Sequence, residues 1–198
     1  MRWVQTWWMK YLPWAFRIGL FSVFCSTSVW GGNFIVDKDV SVVAVDANAS
    51  PPHAFTSVAK DYVYDIDIDP DSLEVRKAAF SFKFENLDSD KAKRDKKMRD
   101  WMNIDVHPEA RFTLKKVVEI DGQKVGKGSF FMHGVSRDIE IPFSVESDGD
   151  QVTLDGSVTL DYENWDLKII RLFYVLTVDT EITPHFHLVG SLGKGGGS

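Results

Sequence analysis

Hydrophobic and polar residues alternate along most of the chain beyond its N-terminal segment. In DYVYDIDID, Tyr62, Tyr64, Ile66 and Ile68 share one face, and aspartates take the other. The same period of two recurs in AAFSFKFE, DIEIPFSV, QVTLDGSVTLDY and EITPHFHLV. Such alternation predicts antiparallel strands that each present one face to a core and one face to solvent.

Turn-forming residues separate these stretches in DANASPPH, DPDS, DGQKVGKG, HGVSRD and SDGDQ. The stretch GSFFMHGVSRDIEIPFSV has apolar positions that alternate on both sides of a polar centre. We interpret it as a hairpin in which Gly134 relieves the turn, while Ser136, Arg137 and Asp138 keep the tip in water.

Only SDKAKRDKKMRDW breaks the period of two, and it predicts one charged helix. Ser89 or Asp88 could cap this helix, and Met98, Trp101 and Met102 fall on one side of it. The whole pattern predicts an all-β fold of about eight strands with one α-helix, as a sandwich or a closed barrel. A barrel of this size can fill its interior with side chains or hold one small ligand, and the pattern does not choose between these.

The N-terminal segment differs from the rest in charge and composition. Residues 1–17 carry three basic residues and no acidic one, and Ile18–Trp30 is an uncharged run of 13 residues. This run is shorter than the ~20 residues that a membrane-spanning helix needs. We therefore predict a signal peptide over residues 1–31, with cleavage after Ser28 as a second option, and export to the periplasm. A retained membrane anchor is the alternative, because five of the seven tryptophans lie here.

Removal of this segment would change the chemistry of the chain. The only cysteine, Cys25, lies in it, so the mature chain would have no disulfide and would depend on a packed core. The net charge would fall from −6 to −9, since 20 basic residues would face 29 acidic ones. Such an acidic chain is not expected to bind nucleic acid. Residues 193–198, GKGGGS, predict a flexible tail.

The best metal candidate is HFH, because His185 and His187 point the same way on a predicted strand. A zinc site would need further ligands, and the spacing identifies none. The sequence has no nucleotide-binding loop, nucleophile elbow or His-Glu-x-x-His motif. We predict neither enzymatic activity nor a metal, and keep a small metal-dependent enzyme that uses the His185/His187 strand as an alternative.

Three segments together resemble one known protein family. KRDKKMRDWMNIDVHPEARFTL has an Arg-Asp pair, a hydrophobic helix position, a proline step and a strand phenylalanine, here Arg94, Asp95, Met98, Pro108 and Phe112. GKGSFFMHGVSRDIEIPFSV has a glycine-led strand, a short turn and an apolar strand, and TVDTEITPHFHLVG is similar to a closing strand. In this order the segments resemble the YceI-like family, the periplasmic polyisoprenoid-binding proteins.

The resemblance to YceI-like proteins implies a lipocalin-like antiparallel barrel of eight strands with one α-helix over residues 32–192. It implies an apolar tunnel that binds a polyisoprenoid, an isoprenoid quinone or a similar amphiphile, with no catalysis. The chain departs from the family in LDYENWDLKIIR, where Asp161 replaces an expected arginine and Asp166 an expected glycine. Any head-group preference that such an arginine gives is not carried over.

We expect apolar walls, rather than acid–base groups, to hold the ligand. The predicted tunnel-lining residues are Tyr64, Phe80, Phe82, Met98, Trp101, Phe112, Phe130, Met132, Phe143 and Trp165. Met98 and Trp101 could also cover the tunnel mouth, and His133 is a lesser candidate for contact with a head group. Each apolar residue could instead be ordinary core, so a packed barrel that acts through protein contacts stays an alternative. No cofactor besides a bound lipid is expected, while a homodimer and transient membrane contact are options for partners.

Overall fold

The structure is a computed structural model that describes residues 33–50, 53–172 and 176–193. The predicted signal peptide and all but the first residue of the predicted tail lie outside these ranges. Within them, one α-helix, α1 (Ala92–Met102), and two short 3-10 helices (Phe84–Asn86 and Tyr162–Trp165) accompany the strands. The strands are β1 (Phe34–Val36), β2 (Val42–Ser50), β3 (His53–Ala59), β4 (Val63–Ile68), β5 (Val75–Lys83), β6 (Leu87–Asp88), β7 (Glu109–Ile120), β8 (Gln123–Met132), β9 (Val135–Asp148), β10 (Gln151–Ser157), β11 (Leu160–Asp161), β12 (Arg171–Leu172) and β13 (Leu176–Leu192).

The strands pair antiparallel in one sheet, whose main path runs β4-β5-β7-β8-β9-β10-β13-β2-β3-β6. Strands that follow one another in the chain are neighbours over much of this path, because tight turns join them. Asp121–Gly122 joins β7 to β8, and His133–Gly134 joins β8 to β9; all four residues have positive φ. Positive φ at both positions is the geometry of a type I′ turn, whose twist matches that of the strands.

The predicted all-β barrel class with one helix is confirmed, and so is the inward face that alternation assigns. Ile66 and Ile68 on β4, Phe143 on β9 and Leu154 on β10 are buried. They belong to one hydrophobic core cluster that also includes Leu188 of β13. In these longer strands, the period of two therefore identifies which side faces the barrel interior.

The predicted number of eight strands is wrong, because the described residues alone form a sheet of thirteen. Four of these strands have only two or three residues: β1, β11 and β12 pair with the long strand β13, and β6 pairs with β3. β12, β11 and β10 follow one another along one edge of β13, while β2 and then β1 pair along its other edge. Strands of two or three residues are too short to show a period, so the sequence pattern misses them.

Side chains connect β1 and β4 where these two strands approach each other. We call this boundary between β1 and β4 the seam. Asn33 donates through Nδ2 to the Ile68 carbonyl at 2.6 Å and accepts from the Ile68 N–H at 2.9 Å. The Tyr64 hydroxyl accepts a hydrogen bond from the Val36 N–H at 3.1 Å. These bonds satisfy backbone groups at the seam that would otherwise need a neighbouring strand.

The helix begins later than the sequence predicts. Lys91 is its N-cap residue and makes no side-chain capping bond, while Ser89 donates its backbone N–H and its hydroxyl to Asp95. Asn103 ends α1 in the left-handed conformation with φ 51°, a conformation that asparagine adopts more readily than most residues. In the described ranges, no helix has the length and apolar character needed to cross a membrane.

Two predicted turns are shorter in the structure. DANAS of the first predicted turn belongs to β2, which runs to Ser50. In the hairpin of β8 and β9, which GSFFMHGVSRDIEIPFSV forms, Ser136, Arg137 and Asp138 lie in β9 rather than at the tip. Because His133 and Gly134 both take positive φ, two residues are enough to reverse the chain.

Candidate functional site

A cavity of about 240 Å³ lies inside the barrel, with α1 on one side and the inward faces of the strands around it. Nearly all of the side chains in its wall are apolar. The cavity is larger than an engineered apolar cavity of ~150 Å³ that admits benzene. A wall of this kind excludes water from an apolar guest and can offer it few hydrogen bonds.

Most of the predicted lining residues lie in the wall of this cavity. They are Phe80, Phe82, Met98, Trp101, Phe112, Phe130, Met132 and Phe143. Six of them, all except Met132 and Phe143, are only half-buried although they face the interior. Their exposed parts face the cavity. These side chains could therefore contact a guest without any rearrangement of the core. Their role in binding stays a prediction.

Tyr64 and Trp165, which were also predicted to line the tunnel, lie outside the cavity wall. Tyr64 uses its hydroxyl at the seam between β1 and β4. Trp165 is 2% exposed and donates through Nε1 to the Phe130 carbonyl at 3.3 Å. Its ring meets the Phe130 ring edge-on with centroids 5.5 Å apart. Trp165 therefore supports a wall residue from behind.

Glycines on neighbouring strands allow two wall phenylalanines to lie flat against the sheet. A Cβ at Gly128 would stand 2.5 Å from the Phe112 ring and from the Thr113 carbonyl. A Cβ at Gly156 would stand 2.4 Å from the ring of Phe186, its direct partner across β10 and β13. Since such distances are too short for any side chain, each ring occupies the space that the glycine leaves free.

Sequence reasoning missed several wall residues, including Phe55, Phe186, Arg94 and Lys97. Phe186 shares the alternating inward face of its strand, so the period of two could have identified it. Arg94 and Lys97 share a face of α1 with Trp101, at the spacing of one and two helical turns. The sequence carries no signal for Phe55, because only the pairing of β2 with β3 brings it to the cavity.

The helix is fixed over the cavity by contacts of its aromatic residue. Trp101 donates through Nε1 to the Lys168 carbonyl at 2.6 Å and meets the Tyr162 ring edge-on at 5.1 Å. The Tyr162 hydroxyl donates to the Val178 carbonyl at 3.3 Å. Burial raises the pKa of Tyr162, so this hydroxyl stays neutral and adds no charge to the wall.

The histidines proposed as metal ligands each face a different carboxylate. His185 Nδ1 lies 3.3 Å from Asp46 Oδ2, and His187 Nδ1 lies 2.6 Å from Asp155 Oδ1. No group of three or more histidine, cysteine, aspartate or glutamate residues is placed to hold a metal in the part of the chain that the structure describes. The arrangement gives the metal-dependent alternative no supporting geometry.

His133, the lesser candidate for a head-group contact, does not line the cavity. Its Nδ1 lies 3.1 Å from the Trp165 carbonyl, and its ring centroid lies 4.2 Å from that of His107. These two contacts connect the hairpin turn to the 3-10 helix at Trp165 and to the segment after α1. They give His133 a structural role at the end of the hairpin.

The two departures from the family pattern have structural counterparts. The Asp161 side chain accepts a hydrogen bond from the Glu163 N–H at 3.0 Å and caps the second 3-10 helix. Asp166 has φ 58°, a left-handed conformation that favours glycine and that aspartate tolerates better than most residues. Asp166 thus adopts the backbone conformation for which the family pattern has a glycine. At Asp161, a hydrogen-bond acceptor replaces the donor that an arginine would provide.

The fold and the cavity define an all-β barrel with an apolar interior that is closed on one side by a helix. The sequence model of the YceI-like domain matches residues 34–189. The chain therefore belongs to the YceI-like family, and the resemblance found in its motifs is confirmed. No curated protein matches the sequence significantly.

Solved structures with the same fold include three bacterial proteins. BcnA of Burkholderia cenocepacia matches with a TM-score of 0.69 at 18% identity, over 79% of this chain and 100% of its own. A polyisoprenoid binding domain from Saccharophagus degradans, implicated in plant cell wall breakdown, matches with a TM-score of 0.65 at 14% identity, over 81% and 98%. The YceI protein of Campylobacter jejuni matches with a TM-score of 0.57 at 20% identity, over 68% and 83%. At these identities the likeness shows a shared fold.

Proposed function

We propose that this protein is an exported carrier or reservoir that holds the long apolar chain of a polyisoprenoid, an isoprenoid quinone or a similar amphiphile in its barrel cavity. The observation that carries the proposal is the cavity of about 240 Å³ with its half-buried aromatic wall. Membership of the YceI-like family and the polyisoprenoid-binding neighbour from Saccharophagus degradans support it. Export rests on the signal-peptide pattern of residues 1–31.

The energetics favour a long apolar tail as the guest. Each methylene removed from water contributes ~0.8 kcal/mol, so a tail of a few isoprene units can offset the loss of its own flexibility. The wall is ready to receive such a tail, because the Phe112 and Phe186 rings already lie flat against glycines. A preformed apolar cavity avoids the cost of rearranging side chains on binding.

The proposal is for a binding protein and not for an enzyme. His185 and His187 pair with separate carboxylates, so they do not converge on one site. A packed barrel without a ligand is also disfavoured, because the interior contains a cavity beside Phe80 and Phe82. Binding of an apolar chain accounts for both the cavity and its wall.

The direct test fills the cavity with a side chain. Ala78 lines the cavity opposite Ile66, whereas Ala54 on β3 is exposed. Ala78→Phe is expected to lower the affinity for a prenol such as farnesol at least tenfold, because its ring takes the space of the tail. Ala54→Phe is the matched control and should bind like the unchanged protein. Equal binding by all three proteins would refute the cavity as the site.

A second measurement addresses the natural ligand. Protein purified gently from its own cells would be extracted with organic solvent, and the extract analysed by mass spectrometry. We expect an isoprenoid lipid in the unchanged protein and much less of it in Ala78→Phe. The absence of any co-purified lipid, together with no binding on reconstitution, would end the carrier proposal.

A further inference from the structure

The charged side chains in the cavity wall are concentrated on one part of α1. Arg94, Asp95 and Lys97 line the cavity at the N-terminal half of the helix, and Met98, Trp101 and Met102 line it at the C-terminal half. The wall outside α1 contributes one imidazole, His185, which already faces Asp46 at 3.3 Å. The helix therefore presents one polar and one apolar half to whatever occupies the cavity.

Arg94 is held in one orientation by contacts on three sides. Its Nε donates to Ser89 Oγ at 2.8 Å, and its Nη2 donates to the Ser89 carbonyl at 2.6 Å. The guanidinium carbon lies 4.3 Å from the ring centroid of Phe55, which is itself a wall residue. Arginine keeps its charge at any physiological pH, so this is a fixed positive group at the wall.

Asp95 does not cancel both positive charges. It is 7% exposed, and its Oδ1 accepts hydrogen bonds from the Ser89 N–H, at 3.1 Å, and from the Ser89 hydroxyl. Lys97 has no hydrogen-bond or ion-pair partner among the described residues, and it is exposed to solvent while also lining the cavity. Two cations and one carboxylate leave a net positive charge where the cavity meets solvent.

We propose that Arg94 and Lys97 select an amphiphile with an anionic oxygen head group, a phosphate or a carboxylate, over a neutral one. The inference rests on the proposed function, because it requires the tail of the same molecule to lie in the cavity. Charge-assisted hydrogen bonds from arginine and lysine to such oxygens are short and strong. The protein as a whole carries a net charge of −6, so attraction to an anion depends on this local group.

The experiment compares the affinities of two lipids that have the same tail and different head groups. Farnesol, farnesyl phosphate and inorganic phosphate would be titrated separately into the purified protein by calorimetry. Farnesyl phosphate is expected to bind about tenfold more tightly than farnesol, which corresponds to one hydrogen bond to a charged group. The difference is expected to shrink as salt is added, because Lys97 is exposed.

Variants of α1 test which residue causes the difference in affinity between farnesyl phosphate and farnesol. Lys97→Met should remove most of the difference in affinity between farnesyl phosphate and farnesol, and Lys97→Arg should retain that difference. Lys93→Met is the matched control, because Lys93 is exposed on α1 and does not line the cavity. It should behave like the unchanged protein.

The outcomes separate this inference from the proposed function. Equal binding of farnesol and farnesyl phosphate would overturn the head-group inference and leave the carrier proposal intact. Failure of both lipids to bind would overturn the carrier proposal itself. Tight binding of inorganic phosphate alone, lost in Lys97→Met, would indicate a site for free anions and would also overturn the head-group inference. A preference that persists unchanged in Lys97→Met would overturn the assignment to this residue.

Discussion

The barrel interior contains two regions that are built from similar apolar residues but are filled differently. Around the seam between β1 and β4, Phe34, Val36, Ile68 and Val152 are between 0 and 8% exposed, and none of them lines the cavity. We call these four residues the packed region. Along β5, β7 and β8 the wall phenylalanines are only half-buried, because the cavity lies against them.

The packed region is filled because of one short strand, β1. β1 lies so close to β13 that a Cβ at Gly190 would stand 2.2 Å from the Ile35 carbonyl. This close approach carries Phe34 and Val36 into the interior, where they fill it. The cavity is covered instead by α1, whose Met98 and Trp101 stay half-buried. Hydrophobicity alone therefore does not decide whether an interior is a core or a binding site; the packing of neighbours does.

The largest expected loss of stability is in a matched pair of substitutions on β4. Ile68 is 0% exposed in the packed region, and Ile66 is 3% exposed in the cavity wall, on the same face of the strand. Ile68→Ala should lower the free energy of unfolding by about 4–5 kcal/mol, because it opens a new void, and Ile66→Ala by only about 2–3 kcal/mol, because it enlarges an existing one. Denaturant unfolding measures both values. Equal losses would remove the distinction between the regions.

The second effect concerns the flat aromatic rings of the wall. Gly156→Ala should destabilise the protein by about 1–3 kcal/mol, because the new methyl group overlaps the Phe186 ring. In a Phe186→Leu background the same glycine substitution should cost much less, since the ring is gone. A double-mutant cycle by thermal unfolding checks this coupling. Additive losses would contradict the role assigned to Gly156.

The third effect tests the seam beside the packed region. Asn33→Ala removes both side-chain bonds to the Ile68 backbone and should cost about 1–3 kcal/mol, because polar groups are left unpaired. Asn33→Asp keeps the acceptor for the Ile68 N–H and should cost less. Hydrogen exchange at the Ile68 amide should accelerate most in Asn33→Ala. An unchanged exchange rate would show that the seam closes without this residue.

The smallest effect is a pH dependence on the protein surface near the same seam. A hydrogen bond and the charge of Lys38, 3.0 Å away, lower the pKa of Asp61. The stabilisation is therefore present above the usual carboxyl pKa and is lost as the pH falls through the lowered folded-state value. The effect should be small because Asp61 is fully exposed to solvent.

Asp61→Asn should make the unfolding midpoint slightly less dependent on pH in the acid range. Glu119→Gln, at an exposed position of β7, serves as the control. The thermal midpoint measured from neutral to acid pH compares the two variants with the unchanged protein. If both variants follow the unchanged protein equally, the ion pair does not contribute.

The sequence determined the features that depend on neighbours in the chain. The period of two identified the inward faces of the strands, and its interruption located α1 with Met98 and Trp101 on one side. The motifs around Arg94 and His133 indicated the family. Such signals are strong because alternation in a strand and helical spacing in a helix both arise when the element buries one of its faces.

Only the tertiary structure decided where the interior is packed and where it is not. Tyr64 and Phe80 are direct partners on β4 and β5, yet Tyr64 bonds at the seam and Phe80 lines the cavity. Phe55 reaches the cavity through the pairing of β2 with β3, and Trp165 stands behind Phe130. The physical reason is that periodicity tells which face of a strand is buried, whereas the space left beside a side chain depends on strands distant in the sequence.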